Sequence, residues 1–333
     1  MKPKLLINAG INHCATTPFF YTLSVDQQYC HPGHKKEMNY LLMSEIGPYQ
    51  RYVDKISWLH ARPNAKEFNT NVKGTWEGYV SKPGYGKIDG LRRLREGYNS
   101  DDHLKPPMLK QWRWDTSEMS DFFDPPFTIE KYIKYYLHHW EHIKNDYQSC
   151  GDFANSNAAL SEDFLRELKV RLEEHFEVKC CIILRDPIRR MYSLSKNNTR
   201  FQQHLKKNDF TVDFKDIEPI KYQVHCFADY VGIVKRWKAV WGDQFFPVIM
   251  EEFWEDSTPF AEFLGFPLPK IHENVFYPEK QFDFDKMQHL QDQWSVQEPM
   301  TDYSLGLARR KMIHIYHKFE EYFGYRPSSW QSW

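Results

Sequence analysis

The stretch that most constrains the fold is residues 1–23. There the apolar run Leu5-Leu6-Ile7 passes into Asn8-Ala9-Gly10-Ile11-Asn12-His13-Cys14-Ala15-Thr16-Thr17 and then Pro18-Phe19-Phe20-Tyr21-Thr22-Leu23. This order of residue types predicts strand, tight loop, helix. Proline's fixed φ suits the first helical position, and the N–H it lacks is not needed there. Because the residue before a proline is pushed out of the α region, Thr17 is expected to cap a helix that starts at Pro18. A loop of small residues feeding a helix N-terminus turns backbone N–H groups and the positive end of the dipole on one spot, to which Thr16 and Thr17 add hydroxyl donors. An anion suits that spot, phosphate first. The same residues fit equally a capped strand–helix turn that binds nothing.

The 333 residues carry 44 Lys+Arg against 45 Asp+Glu, a formal net charge of -1. No global positive field therefore favours nucleic acid or an anionic membrane surface, and any basic site is local. The six cysteines, Cys14, Cys30, Cys150, Cys180, Cys181 and Cys226, show no C-x-x-C spacing, and Cys180-Cys181 stand in an apolar run as small hydrophobes do. A reduced, cytoplasmic protein is expected. Neither a signal peptide nor a membrane span is expected, since the first strand begins close to Met1 and no run of about eighteen apolar residues occurs. His138 and His142 have the spacing of metal ligands on one helix face, but no third ligand is identifiable nearby, so solvated surface histidines are expected there, together with His139.

Further along, Gln28-Tyr29-Cys30 suits a short second strand, and His31 to Tyr40 a polar turn that contains Glu37. Residues 42–126 show little periodicity and many Pro, Gly, Trp and Arg, which points to an elaborate helical or irregular insertion rather than a separate domain. Thr128 is expected to cap a helix to about Asp146, and Ser161 a helix whose stripe is Phe164, Leu165, Leu168 and Leu172. Val178 to Arg185 is a nearly continuous apolar run, as expected of a central parallel strand. Asp186-Pro187 then repeats the opening of Thr17-Pro18, and Phe245 to Met250 followed by Thr258-Pro259 repeats it again, with Pro247 marking a strand edge or start. A helix from Lys221 to Trp241 stops at Gly242, and a last one from about Asp302 to Phe323 stops at Gly324. Strands alternating with helices predict an α/β fold, an open, mainly parallel sheet with helices on both faces and ligands at the carboxyl ends of the strands.

These residues resemble the sulfotransferases that use 3′-phosphoadenosine 5′-phosphosulfate (PAPS), most nearly the carbohydrate and bacterial branches. Gly10-Ile11-Asn12-His13-Cys14-Ala15-Thr16-Thr17 stands where the family has G-x-x-K-(G/S)-G-T-T, the loop that holds the 5′-phosphosulfate, with the lysine replaced. Leu184-Arg185-Asp186-Pro187-Ile188-Arg189-Arg190-Met191-Tyr192-Ser193 matches L-R-(D/N)-P-x-x-R-x-x-S, whose arginine and serine bind the 3′-phosphate. Lys36-Glu37-Met38-Asn39-Tyr40 is similar to a K-E-x-H-F segment that supplies a base, Gly151 to Ser156 to G-E-x-(S/T)-P, and Phe263-Leu264-Gly265-Phe266 to F-L-G-L. The likeness covers about 1–40 and 150–270.

The resemblance implies a single sulfotransferase-like domain, 1–333, in which 42–126 contributes to the acceptor site. It implies transfer of sulfuryl from PAPS to a hydroxyl on a carbohydrate or other small molecule, with no metal, no nucleic-acid partner and no membrane span. Cofactor contacts fall to Gly10, Asn12, His13, Cys14, Ala15, Thr16, Thr17, Arg185 and Ser193. Glu37 is then the base, and His13 stands in for the missing lysine. Arg185 and Ser193, eight positions apart, can both reach one anion, and a planar guanidinium suits phosphate. Two other readings stay open, a nucleotide-dependent kinase on a related sheet and a binder of nucleotide or glycan that has lost catalysis. No GxxxxGK[ST] element supports an ordinary nucleoside-triphosphate loop.

Overall fold

The computed structural model describes residues 2–11, 14, 16–26, 28–33, 40–46, 126–190, 229–268 and 302–330. The insertion expected over 42–126 lies outside them except at its two ends. The elements in order are β1 (Lys4–Asn8), α1 (Thr16–Tyr21) running into a π-helical turn (Thr22–Asp26), β2 (Cys30–His31), α2 (Tyr40–Ile46), α3 (Ile129–Ile143) and β3 (Ser149–Asp152). There follow α4 (Glu162–Glu173), β4 (Glu177–Leu184), α5 (Tyr230–Trp241), β5 (Phe245–Ile249), α6 (Met250–Glu255), α7 (Thr258–Leu264) and α8 (Asp302–Phe323).

The strands form one five-stranded sheet in the order β2-β3-β1-β4-β5. β1 pairs in parallel with β3, Leu5 opposite Cys150, and with β4, Leu5 opposite Val178. β2 pairs in parallel with β3. Parallel strands are covered on both faces, which is why β1 and β4 read as continuous apolar runs: Leu5, Leu6, Ile7 and Cys180 to Leu184 are all buried. Pro247 falls in the edge strand β5, where a missing ladder N–H is tolerated. After β1 the chain goes to β2 and β3 on one side and then to β4 and β5 on the other. The reversal of strand order therefore sits beside β1, and in open α/β sheets ligands bind outside the carboxyl ends at such a reversal.

The helix starts follow local chemistry. Thr128 accepts from the N–H of Lys131 at the start of α3, and Ser161 accepts from Phe164 N at the start of α4. Thr258-Pro259 opens α7, and Gly265, at φ 65°, closes it in the left-handed conformation that glycine adopts without strain. α1 begins at Thr16 rather than at Pro18, so both threonines lie inside the helix and the expected cap at Thr17 is displaced by two residues. His139 departs from the surface placement expected of it. It is buried, its Nε2 lies 3.2 Å from the carbonyl oxygen of His31, and the two rings are 5.0 Å apart. His138 and His142 do face outward as expected, their Nε2 atoms 3.3 Å apart.

The chain packs as two compact units, one of Met1–Gly10, Phe19–Cys181 and Arg236–Phe245, the other of Ile11–Pro18, Ile182–Lys235 and Phe246–Trp333. The first has its core in Leu5, Ile7, Tyr132, Tyr136, Leu165, Leu168, Leu172 and Trp237. The second buries Cys14, Ile183, Tyr230, Val234, Val248, Phe253, Phe260, Tyr316, Phe319 and Trp330. Among the described residues no helix is long and apolar enough to cross a membrane.

Candidate functional site

In the first unit, β1 ends in Asn8, whose Oδ1 accepts from Gly10 N at 3.2 Å while Asn157 Nδ2 donates to its carbonyl oxygen at 3.2 Å. Asn8 is fully buried, and its Nδ2 has no hydrogen-bond partner among the described residues. Gly10 turns the chain at φ +108°, and a Cβ placed there would come within 2.8 Å of the Asn155 carbonyl oxygen. Only glycine meets both demands. Asp152, at the end of β3, is buried and accepts from Tyr132 Oη at 2.8 Å and from Ala154 N at 3.0 Å. Burial, and then the Asp152 charge beside it, hold the Tyr132 phenol well above its usual range, so Tyr132 stays a donor to that carboxylate.

In the second unit Cys14, which follows β1, comes close to a residue bonded to the segment after β4. Cys14 Sγ lies 3.9 Å from Tyr230 Oη, and Tyr230 Oη donates to the Arg185 carbonyl oxygen at 2.8 Å. Burial pushes the Cys14 thiol up to about 11, against the opposing pull of the Arg190 and Arg185 guanidinium groups. Cys14 is therefore a neutral thiol. Arg190 is only 1% exposed, although arginine is among the residues least often buried unless paired.

Asp186 carries the turn out of β4. Its Oδ1 accepts from Ile188 N and Arg189 N, each at 2.9 Å, and its Oδ2 accepts from Tyr316 Oη at 3.1 Å. These bonds make it the cap of the helical turn at 187–190. Burial raises its pKa to about 6, despite these hydrogen bonds, with the Glu251 charge adding to the rise. Glu251 accepts from Asp186 N at 3.2 Å through one oxygen and from Trp330 Nε1 at 3.0 Å through the other.

Of the expected site residues, the structure describes Gly10, Cys14, Thr16, Thr17 and Arg185. Cys14 and Arg185 both meet Tyr230 in the second unit, and Thr16 is buried in the first turn of α1. Asn12, His13, Ala15, Glu37 and Ser193 lie outside the described residues. Tyr230, Glu251, Tyr316 and Trp330 were not singled out from the sequence. Arg185 and Tyr230 are 45 positions apart, Asp186 and Glu251 65, and no local pattern links them. Arg190 stands at the second arginine of the L-R-(D/N)-P-x-x-R-x-x-S pattern, but its burial is a finding of the structure.

No family profile matches the chain, and no curated protein sequence matches it. Among solved structures it is similar to a sulfotransferase from Alicyclobacillus acidocaldarius, with a TM-score of 0.43 at 16% identity over 99% of each chain. It is similar also to the sulfotransferase domain of the Synechococcus PCC 7002 olefin synthase, with a TM-score of 0.43 at 15% identity over 98% of this chain and 95% of that one.

Proposed function

We propose that the chain is a PAPS-dependent sulfotransferase that moves a sulfuryl group to a hydroxyl on a carbohydrate or another small hydroxylated molecule. The observation that carries this reading is that Tyr230 Oη lies 3.9 Å from Cys14 Sγ and donates to the Arg185 carbonyl oxygen at 2.8 Å, so residues of the two motifs stand side by side. The donor has anionic groups at two separated positions, and such a juxtaposition suits it.

In this reading the loop of Gly10, Asn12, His13, Cys14, Ala15, Thr16 and Thr17 binds the 5′ end of the nucleotide. Arg185 and Ser193 bind the 3′-phosphate. PAPS supplies the sulfuryl group. Glu37 takes the proton from the acceptor hydroxyl, and His13, as an imidazolium, donates to the oxygen of the leaving nucleotide. Positioning and charge stabilisation carry such a transfer, as they do phosphoryl transfer. The single domain 1–333 and an acceptor site built in part from 42–126 belong to the same reading.

The test is thermal shift and calorimetry with 3′-phosphoadenosine 5′-phosphate (PAP), the desulfated product, against AMP, which lacks the 3′-phosphate. A ligand at one hundred times its Kd adds about 2.7 kcal/mol of stability. PAP is expected to stabilise more than AMP does, and Arg185→Ala is expected to remove most of the difference. Equal stabilisation by both nucleotides with no effect of Arg185→Ala overturns the assignment, and turnover of ATP with a strict metal requirement selects the kinase instead.

A further inference from the structure

The Arg185 carbonyl and the Asp186 N–H belong to one peptide unit, and a buried side chain from far along the chain grips each end of it. Tyr230 Oη donates to the carbonyl oxygen at 2.8 Å, and Glu251 Oε1 accepts from the N–H at 3.2 Å. Glu251 is itself fixed by Trp330 Nε1, 3.0 Å from its other oxygen. The same Tyr230 oxygen lies 3.9 Å from Cys14 Sγ, so one phenol touches both the loop after β1 and the residue after β4.

A strand end does not need this. Asp186 already caps the turn with both of its oxygens engaged, and setting Glu251 beside it raises the pKa of Asp186 further. Two neighbouring buried carboxylates are an electrostatically unfavourable way to satisfy one N–H. What the arrangement gives in return is a fixed orientation for the peptide that bears Arg185. A guanidinium sits at the end of a long lever. Tilting its peptide by about 10–20° carries the tip beyond the roughly 0.5 Å within which a binding constellation has to be held.

Resting on the PAPS reading above, we infer that Tyr230 and Glu251 are positioning residues for the Arg185 guanidinium, and that Tyr230 couples the 3′-phosphate subsite to the Cys14 loop. Neither needs to touch the nucleotide.

Tyr230→Phe keeps the ring and removes the donor. Glu251→Gln keeps an acceptor for Asp186 N, whereas Glu251→Leu keeps only bulk. PAP affinity is measured by calorimetry for these variants, for Arg185→Ala and for the double variant Tyr230→Phe/Arg185→Ala, each below its own melting temperature. Tyr230→Phe is expected to weaken PAP about tenfold. The same substitution in the Arg185→Ala background is expected to cost less than twofold, because there is no guanidinium left to position. Glu251→Leu is expected to lose affinity and Glu251→Gln to recover most of it.

A loss of equal size with and without Arg185 overturns the inference, since general destabilisation produces it. So does wild-type affinity in Tyr230→Phe, and if that variant does not fold, the Glu251→Gln and Glu251→Leu pair decides by the same comparison. The PAPS reading fails separately and visibly, when the wild type shows no preference for PAP over AMP.

Discussion

Asp186 is fully buried with the Glu251 carboxylate beside it, so its charge state bears directly on the fold. Its pKa rises from 3.8 to about 6, chiefly because burial disfavours the ionised form. The folded chain therefore holds the proton more tightly than the unfolded chain does. The stability tied to that proton is fully present below about pH 4 and is lost as pH rises through about 6. At 1.36 kcal/mol per pKa unit this amounts to about 2–3 kcal/mol. Asp186→Asn keeps the shape and an acceptor for the 188 and 189 N–H groups while removing the ionisation. The stability of wild type minus that of the variant, from urea unfolding, should fall by about 2–3 kcal/mol between pH 4 and pH 7. A flat difference would show that Asp186 ionises in place without penalty. Gly10 makes a second prediction at this scale. Alanine there combines a left-handed φ with a Cβ 2.8 Å from the Asn155 carbonyl oxygen. A strained conformation alone costs about 1–3 kcal/mol, so Gly10→Ala should lose at least about 2 kcal/mol by the same measurement. That Gly10 turns the chain was legible in the sequence. That Asn155 forbids a side chain there was not, because the contact spans 145 positions.

Local elements are where the sequence reads best, and the reason is physical. A cap is decided within four residues. Ser161 and Thr128 make the bonds their positions predict, and Gly265 and Gly324, both at positive φ, end α7 and α8 where a left-handed residue is needed. Ser161→Ala removes the acceptor for Phe164 N, 3.2 Å away, and should cost about 1 kcal/mol in urea unfolding, with Ser161→Asp close to neutral. An unchanged midpoint in Ser161→Ala would mean that Glu45, whose carboxylate accepts from Ser161 N at 3.3 Å, orders that end without the hydroxyl. Strand identity was legible for the same kind of reason. β4 is buried from Cys180 to Leu184, a continuous apolar run as a strand covered on both faces requires. Helix faces were less so, as His139 shows. One position from His138 and three from His142, it turns inward because α3 presents Tyr132, Tyr135, Tyr136, His139 and Ile143 along one buried stripe. The clamp on Arg185 was illegible at this scale altogether, since Tyr230 belongs to α5 and Glu251 to α6 and only the tertiary fold brings them to one peptide.

At the scale of the whole molecule the cysteines provide a built-in probe. Cys14, Cys30, Cys150, Cys180 and Cys181 are free thiols and all five are buried. Burial pushes Cys14 up to about 11 and Cys30 up to about 12, so neither carries appreciable thiolate near neutrality. Since the thiolate is the nucleophile, these groups react with an electrophile only when the surrounding structure opens. Cys14 belongs to one compact unit and the other four to its companion. Labelling resolved by mass spectrometry thus reads the opening of each unit separately in one sample. If the nucleotide is held by the loop that bears Cys14, PAP at one hundred times its Kd should suppress the opening that exposes this thiol by about 2.7 kcal/mol. Cys14 labelling should then slow about a hundredfold, and by more than that of Cys30, Cys150, Cys180 or Cys181. In Arg185→Ala at the same PAP concentration most of that protection should vanish, because site occupancy falls. A Cys14 rate that does not change while calorimetry shows PAP bound to the wild type would place the nucleotide away from the loop after β1, and with it the reading of Gly10 to Thr17 as the cradle for the 5′ end.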